Sequence, residues 1–196
     1  MNAVVAVRDP IHPAAAMVAG SADLSTGKQV LCLAVGPETY GIGIDLVREI
    51  LEVGRLTPLP LTPPFVRGVM NLRGAVVPVI DLCARFGGKP ASVGRRSAIV
   101  IIETCHQDQE GALVVGALVD GVSEVLDVAN QDIEPVPSLG TRIPRDFIHG
   151  MAKVKGMLLS ILDMERVLDR EALAALIGSH LGASAQAVGG AEGEPH

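Results

Sequence analysis

Aromatic side chains are scarce in this chain of 196 residues: Tyr40, Phe65, Phe86 and Phe147 are the whole complement, and tryptophan is absent. Single-stranded nucleic acid binds on stacked rings, and four scattered aromatics make no such platform. Positive charge is not in excess either. The 16 basic and 22 acidic residues give a formal net charge of -6, and the cations form no block. Nucleic acid is therefore not an expected partner, and the acidic balance bears mainly on solubility.

Cysteine is also rare. Cys32, Cys83 and Cys105 are widely spaced, no CxxC occurs, and His106 is a lone neighbour of Cys105. Buried, reduced thiols are the expectation, with neither a metal nor a cofactor. No apolar run reaches 18 residues, so no membrane-inserted segment is expected. The N-terminal run "MNAVVAV" precedes its first basic residue, the reverse of a secretory signal, which makes the cytoplasm the expected location.

Val, Leu, Ile and Ala dominate what remains, with 22 Gly and 13 Pro. This composition favours short strands and many turns. Apolar runs such as "QVLCLAV", "GAVVPVIDL", "SAIVIIET", "GALVVGALV" and "MLLSILDM" recur with turn signals between them, as in small barrels or a sandwich. Residues 1–27 are Ala-, Gly- and Pro-rich without period, 182–196 are small, polar and acidic, and both read as flexible tails. From Asp163 to Leu181 the apolar spacing of three and four predicts a helix, capped by Asp163 or Asp169 and ended by Gly182.

An internal repeat organises the chain. "VRGVMNLRGAVVPVIDL" (66–82) aligns with "IHGMAKVKGMLLSILDM" (148–164), matching Gly68 with Gly150, Arg73 with Lys155, Gly74 with Gly156 and Asp81 with Asp163. Upstream, "GIGIDLVREIL" (41–51) aligns with "GALVDGVSEVL" (116–126), matching Val47 with Val122 and Glu49 with Glu124. The offsets are 82 and 75 residues, separated by a seven-residue insertion near "SLGTRIP". Such a period suits two small barrel modules of about five strands each, sharing an apolar seam because domains of this size are marginal alone. Gly74 and Gly156 then sit at turns or bulges that need positive φ or close backbone approach, residues 71–73 form a tight loop, and Pro78 points to an edge position or a bulge.

Motifs for catalysis fail on inspection. "GSADLSTGKQV" has Ala22 where a phosphate-cradling loop needs glycine and Gln29 after the lysine, and "GIGIDLV" lacks the third glycine of a dinucleotide fingerprint. The repeated Asp81 and Asp163 invite an aspartate-dependent hydrolase reading, but neither lies in an Asp-Thr-Gly or Asp-Ser-Gly setting, and turn or cap roles are ordinary there. No catalytic residue is assigned. What is left is Glu49 with Arg73. They are either a surface ion pair worth at most about 1 kcal/mol, or the charged rim of an apolar groove made by Ile44, Val47 and Ile50.

"YGIGIDLVREIL", "FVRGVMNLRGAVVPVIDL", "GALVDGVSEVLDV" and "GMLLSILDMERVL" together, in this order from Gln29 to Leu168, strongly resemble the bacterial chemotaxis coupling proteins of the CheW family. The resemblance implies an all-β fold of two intertwined SH3-like five-stranded barrels around a shared core over residues 28–168, with the helix at 163–181 as an addition. It implies a non-enzymatic adaptor that couples methyl-accepting chemoreceptors to the histidine kinase CheA. A receptor's helical tip would lie in the groove between the barrels, at Val47, Glu49 and Arg73, with Ile44 and Ile50 as apolar neighbours. Gly68, Gly74 and Gly150 are the corresponding candidates for kinase contact. With no receiver domain following, the likeness is to a stand-alone coupler. A coupler of a related chemosensory pathway, such as twitching motility, would look nearly the same.

Overall fold

The computed structural model describes residues 27–104, 112–137 and 141–169. The expected tails, Cys105, His106 and the expected helix from residue 170 onward lie outside the described residues. Eleven strands are formed: β1 (Lys28–Val35), β2 (Glu38–Gly43), β3 (Val47–Glu52), β4 (Val66–Leu72), β5 (Ala75–Asp81), β6 (Ala98–Thr104), β7 (Leu113–Val119), β8 (Gly121–Val128), β9 (Ile133–Glu134), β10 (Ile148–Val154) and β11 (Met157–Leu162). Two single-turn helices follow β5 and β11, α1 (Leu82–Arg85) and α2 (Met164–Val167).

The strands form two sheets, in the orders β3-β6-β7-β5-β4 and β8-β1-β2-β11-β10-β9. The fold is mostly β, in keeping with the two expected barrels; the sixth strand of the larger sheet is the two-residue β9. Each sheet takes strands from both repeats. β1 and β2 of the first repeat join β8 to β11 of the second, while β6 and β7 of the second join β3 to β5 of the first. The two parallel pairings, β5 with β7 and β2 with β11, are repeat equivalents: Val79 faces Gly116 as Ile161 faces Gly41.

Three apolar clusters explain the near-continuous apolar runs. Along β6, Ile99 and Ile101 point into the interior of the first sheet with Val77, Val79 and Leu118. The alternate residues Val100 and Ile102 join a shared core with Leu31, Leu33, Ile42, Ile80 and Leu162, drawn from both sheets. β1 does the same for the second sheet, sending Val30 and Cys32 inward to Ala152, Leu159 and Ile161. A strand buried on both faces loses its polar alternation, and each fully buried Leu or Ile contributes about 2 kcal/mol. β5 departs from this at its start, where Val76 is 71% exposed.

β5 is a central strand, but Pro78 keeps an edge position within it, with β4 on one side and no ladder partner on the β7 side. Its cross-strand neighbour Val69 spends its N–H and C=O on Thr57, each at 2.8 Å. Val69 and Pro78 are therefore a non-hydrogen-bonded pair, and the missing N–H costs β4 nothing. Pairing with β7 begins one residue later, at Val79.

Candidate functional site

The β4–β5 connection is a two-residue turn, Arg73-Gly74, narrower than the expected loop at 71–73, since Asn71 pairs with Val76 and Leu72 with Ala75 in the ladder. Both turn residues have positive φ, 52° and 93°. This is the requirement of a type I′ hairpin, whose twist matches that of the strands. The Asn71 side chain accepts a hydrogen bond from the Gly74 N–H at 2.8 Å, which fixes the turn from within. From this tip the Arg73 guanidinium reaches across to β3 and donates to the Glu49 carboxylate at 2.9 Å.

The second repeat builds the same device. Lys155 and Gly156 connect β10 and β11 with φ of 50° and 77°, and Lys155 Nζ donates to Glu124 Oε2 on β8 at 2.8 Å. Sequence alignment matched both pairs of positions without showing that either pair meets.

A bulge between Val47 and Glu49 sets which way β3 side chains face. Val47 packs against the shared core, Leu51 faces the interior of the first sheet, and Ile50 is 45% exposed. Ile44, in the short turn that carries the chain from β2 to β3, lines a cleft of about 540 Å3 with Val30, Leu46, Ile133, His149 and Met164. Ile44 and Val47 both pack half-buried against the shared core, Ile44 also lining the cleft, while Ile50 faces solvent.

The remaining arginine of the "VRGVMNLRG" stretch is structural. Arg67 Nη1 lies 3.5 Å from the carboxylate of Asp81, which is fully buried. Asp81 also accepts the N–H of Ala84, capping α1, and the N–H of Ala91 at 2.7 Å. Asp163 caps α2 in the same way through Arg166 N–H. Both aspartates are thus occupied as helix caps, which accounts for their recurrence without a hydrolase reading.

The candidate glycines differ in kind. Gly68 has φ 131° at the bulge of β4, and a Cβ there would overlap the Thr57 carbonyl oxygen. A Cβ on Gly150 would lie 2.6 Å from Ile133 Cγ2. Gly74 has open space around it and needs glycine only for its φ.

Burial pushes the Cys83 thiol up, and the nearby charges of Asp81 and Asp120 add to this; burial also raises Cys32, which lies in the core. Among the described residues no three His, Cys, Asp or Glu side chains are grouped as metal ligands, and no helix is long and apolar enough to cross a membrane. Sequence reasoning passed over the surroundings of Arg85. Its guanidinium lies 4.5 Å from the Phe147 ring centre and 5.7 Å from that of Phe65.

With this geometry in hand, comparison with known proteins is decisive about kinship. Residues 29–172 match the CheW-like domain. The chain is 35% identical over 145 residues to the chemotaxis protein CheW of Rhizobium meliloti, covering 74% of this chain and 90% of that one. It is 31% identical over 143 residues to the protein FrzA of Myxococcus xanthus, covering 72% and 85%. The crystal structure of the scaffolding protein TtCheW from Thermoanaerobacter tengcongensis superposes with a TM-score of 0.64 at 33% identity, covering 72% of this chain and 87% of that one. Repeat, two-sheet fold and sequence agree, and the chain belongs to the CheW family.

Proposed function

We propose that this protein is a cytoplasmic, non-enzymatic adaptor that couples methyl-accepting chemoreceptors to the histidine kinase CheA. The observation that carries the reading is the placement of Arg73. A non-glycine residue in the left-handed region costs about 1–2 kcal/mol, and an exposed ion pair returns at most about 1 kcal/mol. Arg73 is 80% exposed in its side chain, so its guanidinium stands where a partner can reach it while it stays bonded to Glu49. Glu49 is held against it, and the elements that carry the pair, β3 and the β4–β5 hairpin, also expose Ile50 and Val76. Such a surface can fix the register of a helical partner through one charge pair and a few apolar contacts.

In this reading the receptor tip contacts Glu49, Ile50 and Arg73 and reaches Ile44 in the cleft, while Val47 holds β3 in place behind them. Kinase contact falls to the turn and bulge glycines Gly68, Gly74 and Gly150, of which Gly74 alone is free of steric demands. Co-sedimentation of the full chain with a chemoreceptor cytoplasmic fragment and CheA tests the whole: the chain enters the assembly, and Arg73→Glu, folded by circular dichroism, does not. The likeness to FrzA favours a second version of the same reading, a coupler serving a related chemosensory pathway.

A further inference from the structure

Two of the chain's four aromatic rings flank Arg85, and the other two join them through Phe147. Tyr40 packs on Phe86 with ring centres 5.4 Å apart, and Phe86 packs on Phe147 at 6.0 Å. Arg85 lies over Phe147 and, more distantly, Phe65. Phe65 and Phe147 are repeat equivalents, and each presents its backbone carbonyl to the capping aspartate of its own half, to Asp81 N–H at 2.7 Å and Asp163 N–H at 2.9 Å. The Arg85 Nε–H donates to the carbonyl of Val167 at 3.0 Å. Val167 is itself the repeat equivalent of Arg85, at the offset of 82 residues. The side chain therefore crosses the internal symmetry axis and bonds to its own counterpart.

The two halves share the capping aspartate, the phenylalanine carbonyl that meets it and the single-turn helix, but the helix sequences differ, LCAR against MERV, and only the first carries an arginine at its last position. Val167 is fully buried in the shared core with Met164 and Leu168, whereas Arg85 places a half-buried charge there. Burial pulls its pKa down, and the charge of Asp169 opposes that pull. A guanidinium stacked on rings, with its N–H aimed at a carbonyl, is a directional contact that an apolar residue in the same space does not provide. Its two ends belong to different sheets: Arg85 follows β5, and Val167 ends the helix that follows β11. The first turn of that helix carries Met164 and Glu165 into the wall of the cleft that Ile44 lines.

We infer that Arg85 is a positioning residue: it locks the two sheets at one mutual orientation and, through α2, holds the wall of the cleft opposite Ile44. Its consequence for a receptor tip rests on the proposed coupling function; its consequence for sheet orientation does not.

The test uses the full chain, labelled with nitrogen-15, and residual dipolar couplings in a dilute alignment medium. In the unsubstituted protein one alignment tensor fits the amides of both sheets. Arg85→Met, which keeps volume and apolar contact, needs two tensors or shows reduced order in one sheet, and the Val167 and Leu168 amides exchange faster while those of β6 do not. Arg85→Lys, which keeps the charge without the planar fork, behaves like Arg85→Met and serves if that variant does not fold. A single tensor in the folded variants, with unchanged exchange at α2, overturns the inference. In a second arm, affinity for a chemoreceptor cytoplasmic fragment falls by roughly three- to thirtyfold in the variants. Equal affinity despite altered orientation overturns the positioning of the cleft. If the unsubstituted chain fails to bind the fragment, the coupling function fails, and the dipolar couplings still decide the role of Arg85.

Discussion

Lys155, in the β10–β11 turn, donates to Glu124 on β8 at 2.8 Å, as Arg73, in the β4–β5 turn, donates to Glu49 on β3 at 2.9 Å. The turn-to-strand ion pair is thus a property of the repeat. The difference between the halves lies in the donor, a forked guanidinium in one and an ammonium in the other, and in its surroundings. Glu49 is 23% exposed and Glu124 53%. Only a guanidinium can hold Glu49 and offer further donors in the same plane to a second carboxylate.

Neither pair is a pillar of stability. Arg73→Ala and Lys155→Ala each change the unfolding free energy by less than about 1 kcal/mol, a shift of a few degrees in Tm at most. Differential scanning calorimetry checks this, and a loss well beyond that range would mean that the turns need the pair to form.

The buried aspartate behaves otherwise. Asp81→Ala strands two backbone N–H groups and leaves Arg67 beside an apolar interior, at a cost of about 3 kcal/mol. Asp163→Ala loses a cap on a more exposed helix and costs about 1 kcal/mol. Urea denaturation of the two variants separates these values, and equal losses would contradict the assignment of Asp81 as the internal strut.

The glycines divide by steric demand. Gly68→Ala forces a Cβ onto the Thr57 carbonyl and costs at least about 2–3 kcal/mol. Gly150→Ala costs less, because Ile133 can yield, and Gly74→Ala costs about 1 kcal/mol through φ alone. Melting temperatures in the order Gly74→Ala, Gly150→Ala, Gly68→Ala from highest to lowest are expected. Lost kinase binding in a Gly68 variant therefore reports on the fold, whereas in Gly74→Ala it reports on contact.

Thiol chemistry follows burial. Cys83 has its pKa raised above the ordinary 9.0 by burial, then by Asp81 and Asp120, so its thiolate is scarce at neutral pH. Peptide-mapped alkylation at pH 7.5 is slower at Cys83 than in the urea-unfolded chain, and the difference narrows above pH 9. Because the folded state holds its proton more tightly, the stability linked to Cys83 is present below the unfolded pKa and is lost as pH rises through the raised one. Equal alkylation rates in folded and unfolded chain at pH 7.5 would contradict the burial.

Much of this was legible in the sequence because the repeat doubles every signal. The glycines that recur at 74 and 156 mark positive-φ turns and the apolar runs beside them mark strands buried on two faces, whereas the bulges at Gly68 and Gly150 emerged with the structure. Three features were not legible. The exchange of hairpins between sheets depends on which edges meet in space, and the alignment of halves is blind to it. The edge position of Pro78 was expected, but nothing in the sequence showed that Val69 opposite it bonds to Thr57 on the far side of β4. The aromatic cluster escaped because its members, from Tyr40 to Phe147, are assembled only by the fold.

The coupling surface itself is tested most directly by binding of a chemoreceptor cytoplasmic fragment to three full-length chains, unsubstituted, Arg73→Glu and Lys155→Glu, measured by isothermal titration calorimetry with the fold of each checked by circular dichroism. Binding is expected in the unsubstituted chain and in Lys155→Glu, and is lost in Arg73→Glu. Undiminished binding by a folded Arg73→Glu chain would contradict the assignment of the receptor site.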